Sequence, residues 1–190
     1  MKIGVFALQG AFIEHEHALE ALGAEVTEIR RLEHFTNDFD GVVLPGGEST
    51  VQGKLLREEG LMEPLRAAIE GGMPVLATCA GLILLAKEID GGEEPHLKVM
   101  NIAVRRNAYG RQLGSFNADV DIKGVGKFPA VFIRAPYVSR VGEGVDVLAE
   151  EAGKIVAVRQ DKMLALAFHP ELTGDTRVHE YFLNIVKGEA

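Results

Sequence analysis

The chain has 190 residues, of which 47% are hydrophobic and 25% are charged, as is ordinary for a folded globular protein. We therefore expect one domain over residues 1–190, with a core large enough to disfavour disorder. Lysine and arginine number 20 against 28 aspartate and glutamate, a formal net charge of -8. Because such a balance repels phosphate backbones and anionic lipids, nucleic acids and membranes are poor candidate partners.

Cysteine content and hydropathy indicate the cellular compartment in which we expect the chain. Cys79 is the one cysteine, which excludes an intramolecular disulfide framework or a cysteine-rich metal site and fits a reducing cytoplasm. The longest apolar run, from Ala80 to Ala86, is far shorter than the ~20 residues that span a bilayer. The apolar N-terminal run stops at Gln9 and is too short for a secretory signal.

The first half of the chain alternates short apolar runs with amphipathic segments. It predicts strands at 2–8, 25–29, 41–44 and 73–78, and helices at 11–22, from Thr50, at 61–70 and at 80–87. This alternation predicts a mostly parallel sheet with helices on both faces. Active sites in such folds lie beyond the carboxyl ends of the strands. The segments near residues 9, 46 and 79 all follow predicted strand ends.

The second half contains shorter strand candidates separated by turns. They lie at 99–104, 115–122, 130–133, 145–149, 154–158 and 163–168, and they indicate an antiparallel extension that continues the sheet. A last helix carries Val178, Phe182 and Ile185 at helical spacing. The predicted fold class is a three-layer α/β domain with a mostly parallel central sheet and an antiparallel extension.

Cys79 follows an apolar strand and precedes Ala80, Gly81 and an apolar helix. A side chain on such a sharp strand-to-helix turn is held out for reaction, and the helix N-terminus favours a thiolate. The alternative is a buried structural cysteine, because free cysteine often behaves as a small hydrophobic residue.

The segment His169-Pro170-Glu171 follows the last predicted strand. Residues two apart on an extended chain face the same side, so His169 is a candidate base and Glu171 a candidate orienting group. The other histidines are interpreted as core or solvated side chains. The run Glu14-His15-Glu16-His17 looks like a metal site, but residues two apart on a helix do not face each other, so we expect no metal.

The run from Pro45 to Thr50 contains two glycines after a buried strand. It suits either a loop whose N–H groups meet a ligand or a plain helix start capped by Ser49 or Thr50. A Walker phosphate loop and a dinucleotide fingerprint both lack their required residues, so no cofactor is expected. Arginines in 105–112 and at Arg134 suit either a carboxylate clamp or surface ion pairs.

Taken together, these segments resemble the glutaminase subunits of pyridoxal 5′-phosphate synthase, the PdxT family of class I (triad) glutamine amidotransferases. The resemblance runs in order from residue 3 to residue 186, and six motifs in order are specific where one would be weak. The motifs are Leu8-Gln9-Gly10, Pro45 to Thr50, Thr78-Cys79-Ala80-Gly81, Arg106 to Gln112, Phe132 to Pro136, and Phe168 to Leu172.

The resemblance implies a flavodoxin-like fold and a glutaminase whose Cys79, His169 and Glu171 form the catalytic triad. It also implies backbone oxyanion donors at Gly47 and Ala80, with Gln9 and Gly10 near the oxyanion hole and facing the partner. The residues that would position L-glutamine are Gly47, Glu48, Ser49, Arg106, Ile133 and Arg134. The implied partner is a synthase subunit of the PdxS family within a large hetero-oligomeric complex.

Two positions depart from the family pattern, since Arg105 stands where an acidic residue is expected and Ala11 stands where aspartate is common. Neither change affects the triad, but Ala11 lies near the implied partner surface. The alternatives are another cysteine hydrolase, a glutaminase that serves a different synthase, or a non-catalytic binding module that kept the fold.

Overall fold

A computed structural model describes residues 1–107, 109 and 114–190. The α-helices are α1 Phe12–Ala21, α2 Ser49–Glu58, α3 Met62–Glu70, α4 Ala80–Leu85 and α5 Arg177–Lys187. The strands are β1 Lys2–Phe6, β2 Glu25–Ile29, β3 Gly41–Leu44, β4 Val75–Thr78, β5 Ala86–Ile89, β6 Met100–Arg105, β7 Ser115–Ile122, β8 Gly126–Ile133, β9 Tyr137–Val141, β10 Asp146–Glu151, β11 Lys154–Gln160 and β12 Met163–Leu166.

The central sheet has the strand order β2-β1-β3-β4-β12-β11-β9-β6-β5, and β10 pairs with β11. The strands from β2 to β12 in this order pair in parallel. The following pairs, from β12 through β11 and β9 to β6, are antiparallel. The predicted parallel sheet with an antiparallel extension is therefore confirmed.

Helices cover both faces of this sheet, as the alternating pattern predicts. One apolar cluster contains Leu56, Leu65 and Leu82 from α2, α3 and α4. The other contains Leu19 of α1 and Phe182 of α5. Every residue of β3 and β4 is buried, which explains why both strands read as continuous apolar runs rather than as alternating ones.

The predicted extension is wrong for two of its strands. β7 and β8 form a separate two-stranded antiparallel hairpin rather than part of the central sheet. Val120, Phe128 and Phe132 of the hairpin are buried in the apolar cluster that α1 and α5 also join. The hairpin therefore packs over that face of the sheet. Its second strand, β8, begins at Gly126, four residues before the predicted strand.

Two shorter elements also differ from the prediction. The predicted helix at 80–87 ends at Leu85, and β5 follows it along the edge of the sheet beside β6. An apolar run buried on every side does not distinguish helix from strand by its period. β9 was not predicted, and its only fully buried residue is Val138. Within the described residues, no helix is long and apolar enough to cross a bilayer.

Candidate active site

The carboxyl ends of β1, β3, β4 and β12 meet at one edge of the sheet, because these strands run parallel. Gln9, Gly46, Cys79 and His169 follow these four ends in turn. A cavity of about 240 Å³ opens there, at the position where open parallel sheets bind ligands. Its lining consists of Gly47, Glu48, Ser49, Cys79, Ala80, Ile83, Arg106, Asn107, Ile133, Arg134, Pro136 and His169.

Cys79 occupies a strained turn between β4 and α4. Its φ is 50° and its ψ is -101°, which a non-glycine residue adopts only at a cost in energy. The Cys79 N–H donates to the Leu166 carbonyl at 2.8 Å, and Sγ lies 3.8 Å from the Ile133 carbonyl oxygen. The side chain is buried, but this strain is typical of a reactive residue rather than of a space-filling one.

His169 and Glu171 are hydrogen bonded through Nδ1 and Oε1 at 2.7 Å. The segment is not extended as predicted, because residues Pro170–Leu172 form a 3-10 turn that carries Glu171 back under the imidazole. The His169 N–H donates to the Val131 carbonyl at 2.8 Å, and a Cβ at Gly46 would overlap the imidazole ring. The hairpin and the glycine loop thus fix the ring from two sides.

The pKa of His169 reflects two opposed effects. Burial alone would lower it, but hydrogen bonds to Cys79 and Glu171, together with the charges of those two groups, outweigh burial and raise the pKa to about 10. His169 is therefore an imidazolium at neutral pH. An imidazolium between a sulfur and a carboxylate stabilises a thiolate beside it and can give its proton to a leaving group.

The glycine loop is held by glutamine side chains. The Glu48 N–H donates to Oε1 of Gln9 at 2.7 Å, and Nε2 of Gln52 donates to the carbonyls of Gln9 at 2.9 Å and Pro45 at 3.1 Å. A Cβ at Gly10 would overlap the Gly46 carbonyl, so these loops touch by their backbones. Gln9 and Gly10 therefore lie directly beside Gly47.

The start of α2 differs from the prediction. The helix begins at Ser49, with Glu48 as its N-cap and no side-chain capping hydrogen bond. Capping by Ser49 or Thr50 is therefore not the reason for this sequence. Ser49 is buried, and with Gly47 and Glu48 it lines the cavity, which favours the ligand-loop interpretation.

The arginines separate into different environments. Arg106 lines the cavity, where its Nη1 lies 2.5 Å from Oε2 of Glu93 and 3.3 Å from Oγ1 of Thr50. Arg134, at φ 43°, and Ile133 also line the cavity. Arg105 is exposed and lies outside that lining. Four residues of the predicted arginine motif, Ala108, Gly110, Arg111 and Gln112, fall outside the described residues.

Comparison with known proteins gives this geometry a family. A model of the SNO glutamine amidotransferase family matches residues 5–187. The chain belongs to this family. A pyridoxal 5′-phosphate synthase subunit PdxT of Streptococcus pneumoniae (strain ATCC 700669) is 55% identical over 190 residues, 98% of each chain. A solved glutamine amidotransferase structure shares 50% identity at a TM-score of 0.92, covering 97% of this chain and 98% of its own.

More distant structures share the fold of this SNO family member. PurLQS from Thermotoga maritima has a TM-score of 0.74 at 16% identity, covering 96% of this chain and 97% of the other. A putative GMP synthase subunit from Thermoplasma acidophilum has a TM-score of 0.67 at 19% identity, covering 99% and 94%. The resemblance and the fold class predicted from the motifs are therefore confirmed.

Sequence reasoning missed the buried histidines behind Glu171. His15 and His179 are fully buried; Nδ1 of His15 lies 2.9 Å from Nε2 of His179. Nε2 of His15 faces Oγ1 of Thr78 at 3.1 Å and Oε2 of Glu171 at 3.4 Å. The sequence offered one signal for a buried His15. His15 and Leu19 are four positions apart, so they share the face of α1 that is buried. His17 is exposed, so the two histidines of that run do not share a ligand.

We predict an acid-side loss of stability that His179 causes. Burial lowers the pKa of His179 from 6.5 to about 4, so the unfolded chain binds a proton that the folded chain refuses. Stability is complete above pH 6.5 and falls as the pH decreases to 4, by on the order of 3 kcal/mol for this residue. Urea unfolding at pH 7 and at pH 4.5 measures the loss.

His179→Gln should reduce this pH dependence, while substitution of the exposed His17 by Gln should leave it as in the wild type. Equal losses in the wild type and His179→Gln would show that His179 is not the group responsible.

Proposed function

We propose that this amidotransferase is the glutaminase subunit of a pyridoxal 5′-phosphate synthase. It hydrolyses L-glutamine to L-glutamate and ammonia and delivers the ammonia to a synthase subunit for vitamin B6 biosynthesis. The observation that carries the proposal is the chain of contacts from Cys79 through His169 to Glu171 at the wall of an amino-acid-sized cavity. Relatives 55% identical over 98% of the chain bear the name of that synthase subunit, and residues 1–190 act as one glutaminase domain.

In the first half of the reaction, the Cys79 thiolate attacks the side-chain amide carbon of glutamine. A C–S bond forms and the carbonyl oxygen becomes an oxyanion. The His169 imidazolium then gives its proton to the amide nitrogen, the C–N bond breaks, and ammonia leaves a γ-glutamyl thioester. The raised pKa of His169 keeps that proton available at neutral pH.

In the second half, neutral His169 takes a proton from water as the water oxygen attacks the thioester carbon. The C–O bond forms, the C–S bond breaks, and glutamate leaves while Cys79 returns to the thiolate and His169 to the imidazolium. Glu171 accepts the Nδ1–H of His169 throughout, which fixes the ring and its charge.

Backbone N–H groups of Gly47 and Ala80 stabilise the oxyanion in this mechanism. Both residues line the cavity, and Ala80 is the first residue of α4, where helical N–H groups have no intrahelical acceptor. Arg106 supplies a cation for the substrate carboxylate and Glu48 an acceptor for its ammonium. Ser49, Ile133 and Arg134 complete the walls around the bound amino acid.

Ammonia serves a synthase only as the free base, so it must pass between subunits without meeting bulk water. This requirement supports a hetero-oligomeric complex with a PdxS-family subunit docked over the edge where Gln9, Gly10 and Ala11 lie. Ala11 leaves α1 without a side-chain cap, where aspartate would supply one and a charge. A nucleophilic free thiol favours the reducing cytoplasm.

We expect Cys79→Ala to lower glutamine hydrolysis by about 10³-fold or more, because the covalent route is lost. Glutamate release measures the activity, and urea unfolding confirms that the variant is folded. A folded variant that still releases glutamate at the wild-type rate would exclude Cys79 as the nucleophile.

We expect Arg106→Ala to raise the KM for glutamine by about 10-fold while changing kcat less, because a charge-assisted hydrogen bond to the substrate is lost. Arg105→Ala is the matched control, since this neighbour is exposed and outside the cavity lining. An unchanged KM in Arg106→Ala would remove Arg106 from substrate binding.

We also expect the purified chain to release glutamate faster when a PdxS-family synthase subunit is added. The measurement compares glutamate release by the chain alone and with the partner, at saturating glutamine. Activity that does not change when the partner is added would still support a glutaminase, but it would indicate that the chain serves a different synthase. No release in either assay, with Cys79 shown to be reduced, would favour the non-catalytic alternative.

A further inference from the structure

A buried pair of histidines lies on the far side of Glu171 from the substrate cavity. Nε2 of His179 lies 2.9 Å from Nδ1 of His15, and Nε2 of His15 lies 3.4 Å from Oε2 of Glu171. Both histidine side chains and the Glu171 carboxylate are shielded from solvent. The contacts therefore continue the line Cys79–His169–Glu171 through the core, from the 3-10 turn at Pro170–Leu172 to α1 and on to α5.

The hydrogen-bonding capacity of these groups selects one tautomer for each ring. If His15 carried its proton on Nδ1, its bare Nε2 could accept from the Thr78 hydroxyl but would also set a lone pair against the Glu171 carboxylate at 3.4 Å. His179 would then accept through Nε2 and bury an N–H at Nδ1, an atom with no partner among the described residues. Such an unpaired buried donor costs about 1–3 kcal/mol.

The opposite tautomers avoid both costs. Nε2–H of His179 then donates to Nδ1 of His15, and Nε2–H of His15 donates to Oγ1 of Thr78 at 3.1 Å, with Oε2 of Glu171 beside it at 3.4 Å. Only a bare lone pair at Nδ1 of His179 is left without a partner. Both N–H dipoles are then aligned toward the carboxylate.

Oε2 of Glu171 depends on this arrangement. Oε1 accepts from His169, but Oε2 is buried without a hydrogen bond from any described residue. Nε2 of His15 approaches this oxygen to 3.4 Å. A buried carboxylate oxygen without a donor is costly, so the His15 N–H is what favours the ionised, correctly rotated carboxylate.

We infer that His15 is a positioning residue of the glutaminase reaction, which holds Glu171 against His169 through its Nε2–H and is itself oriented by His179. This inference rests on the proposed function, because it gives His15 a part only through the Cys79–His169–Glu171 triad. His15 does not touch the substrate cavity, so its effect is on kcat and on the thiolate–imidazolium pair rather than on glutamine binding.

The protonation of the two rings agrees with this role. Burial, the neighbouring His179 and the more distant His169 all lower the pKa of His15, and burial lowers the pKa of His179 to about 4. Both rings are therefore neutral at pH 7, each with a single N–H whose direction the contacts set. A neutral donor supports the Glu171 carboxylate without competing with His169 for its charge.

The test replaces His15 by two amide side chains, each of which keeps a polar group near the position of one ring nitrogen. In His15→Gln the longer side chain places an N–H donor near the position of Nε2, facing Glu171. In His15→Asn the shorter side chain reaches only the position of Nδ1, facing His179. Both remove the ring from the core, so a loss due only to packing would be similar in the two. The exposed His17→Asn is the control on the same helix.

We expect His15→Asn to lower kcat by about 10–100-fold with the KM for glutamine little changed, and His15→Gln to recover to within about 3-fold of the wild type. Alkylation of Cys79 by iodoacetamide at pH 7, which needs neither glutamine nor a partner subunit, should slow in the same order. In the wild type, ¹⁵N-detected NMR of labelled histidine should show neutral Nε2–H tautomers for both His15 and His179.

Equal kcat and equal alkylation rates in the folded Asn and Gln variants would overturn the inference, as would an Nδ1–H tautomer or a charged ring at His15. Cys79→Ala is assayed in parallel. If Cys79→Ala is inactive while both His15 variants match the wild type, the triad stands and the role of His15 fails. If Cys79→Ala stays active, the proposed mechanism itself fails.

Discussion

The ionised Glu171 carboxylate inside the protein is the constraint on which the site depends. A buried charge is tolerated only when it is paired and hydrogen bonded. Here the partner is the His169 imidazolium at 2.7 Å, whose pKa of about 10 reflects that pairing together with Cys79. The proposed mechanism depends on this pairing, because it keeps the proton on His169 that the leaving group needs.

The fold supplies this pairing because four parallel strands end at one edge. Cys79 follows β4 and His169 follows β12, and these two strands are direct neighbours with Leu166 opposite Thr78. That register brings Cys79 and His169, the proposed nucleophile and base, together directly after two neighbouring strands. The β7–β8 hairpin then closes the site from outside the sheet, since Val131 accepts from the His169 N–H and Ile133 approaches the Cys79 sulfur.

The sequence predicted the features that depend on local pattern. Strands such as Glu25–Ile29 and Gly41–Leu44 were predicted with their observed ends, because apolar runs between turn residues are a local signal. The edge strand β9 was missed because only Val138 of it is fully buried. The predicted helix at 80–87 was too long. An apolar run does not reveal that Ala86 pairs with β6, which lies later in the chain.

Non-local pairing explains what the sequence could not predict at the site. His15 and His179 are 164 positions apart, and each looks like an ordinary core histidine by itself. Their contact exists only once α1 and α5 pack on the same face of the sheet. The Arg106–Glu93 pair is equally invisible, since nothing in the run of glutamates and glycines before Pro95 identifies which carboxylate turns toward the cavity.

That ion pair bears on how the site discriminates among ligands. Arg106 already has an anionic partner in Glu93, and partly exposed pairs of this kind are worth little net free energy. Under the proposed function, the substrate carboxylate takes the place of Glu93 on Arg106 and the ammonium meets Glu48, while Glu93, whose side chain is 53% exposed, is left in solvent. A ligand with only a carboxylate or only an amine would leave one charged group of the protein without a partner and would bind less well. Under this proposal, the weak pairing of Arg106 with Glu93 favours selectivity for an intact amino acid over tight binding.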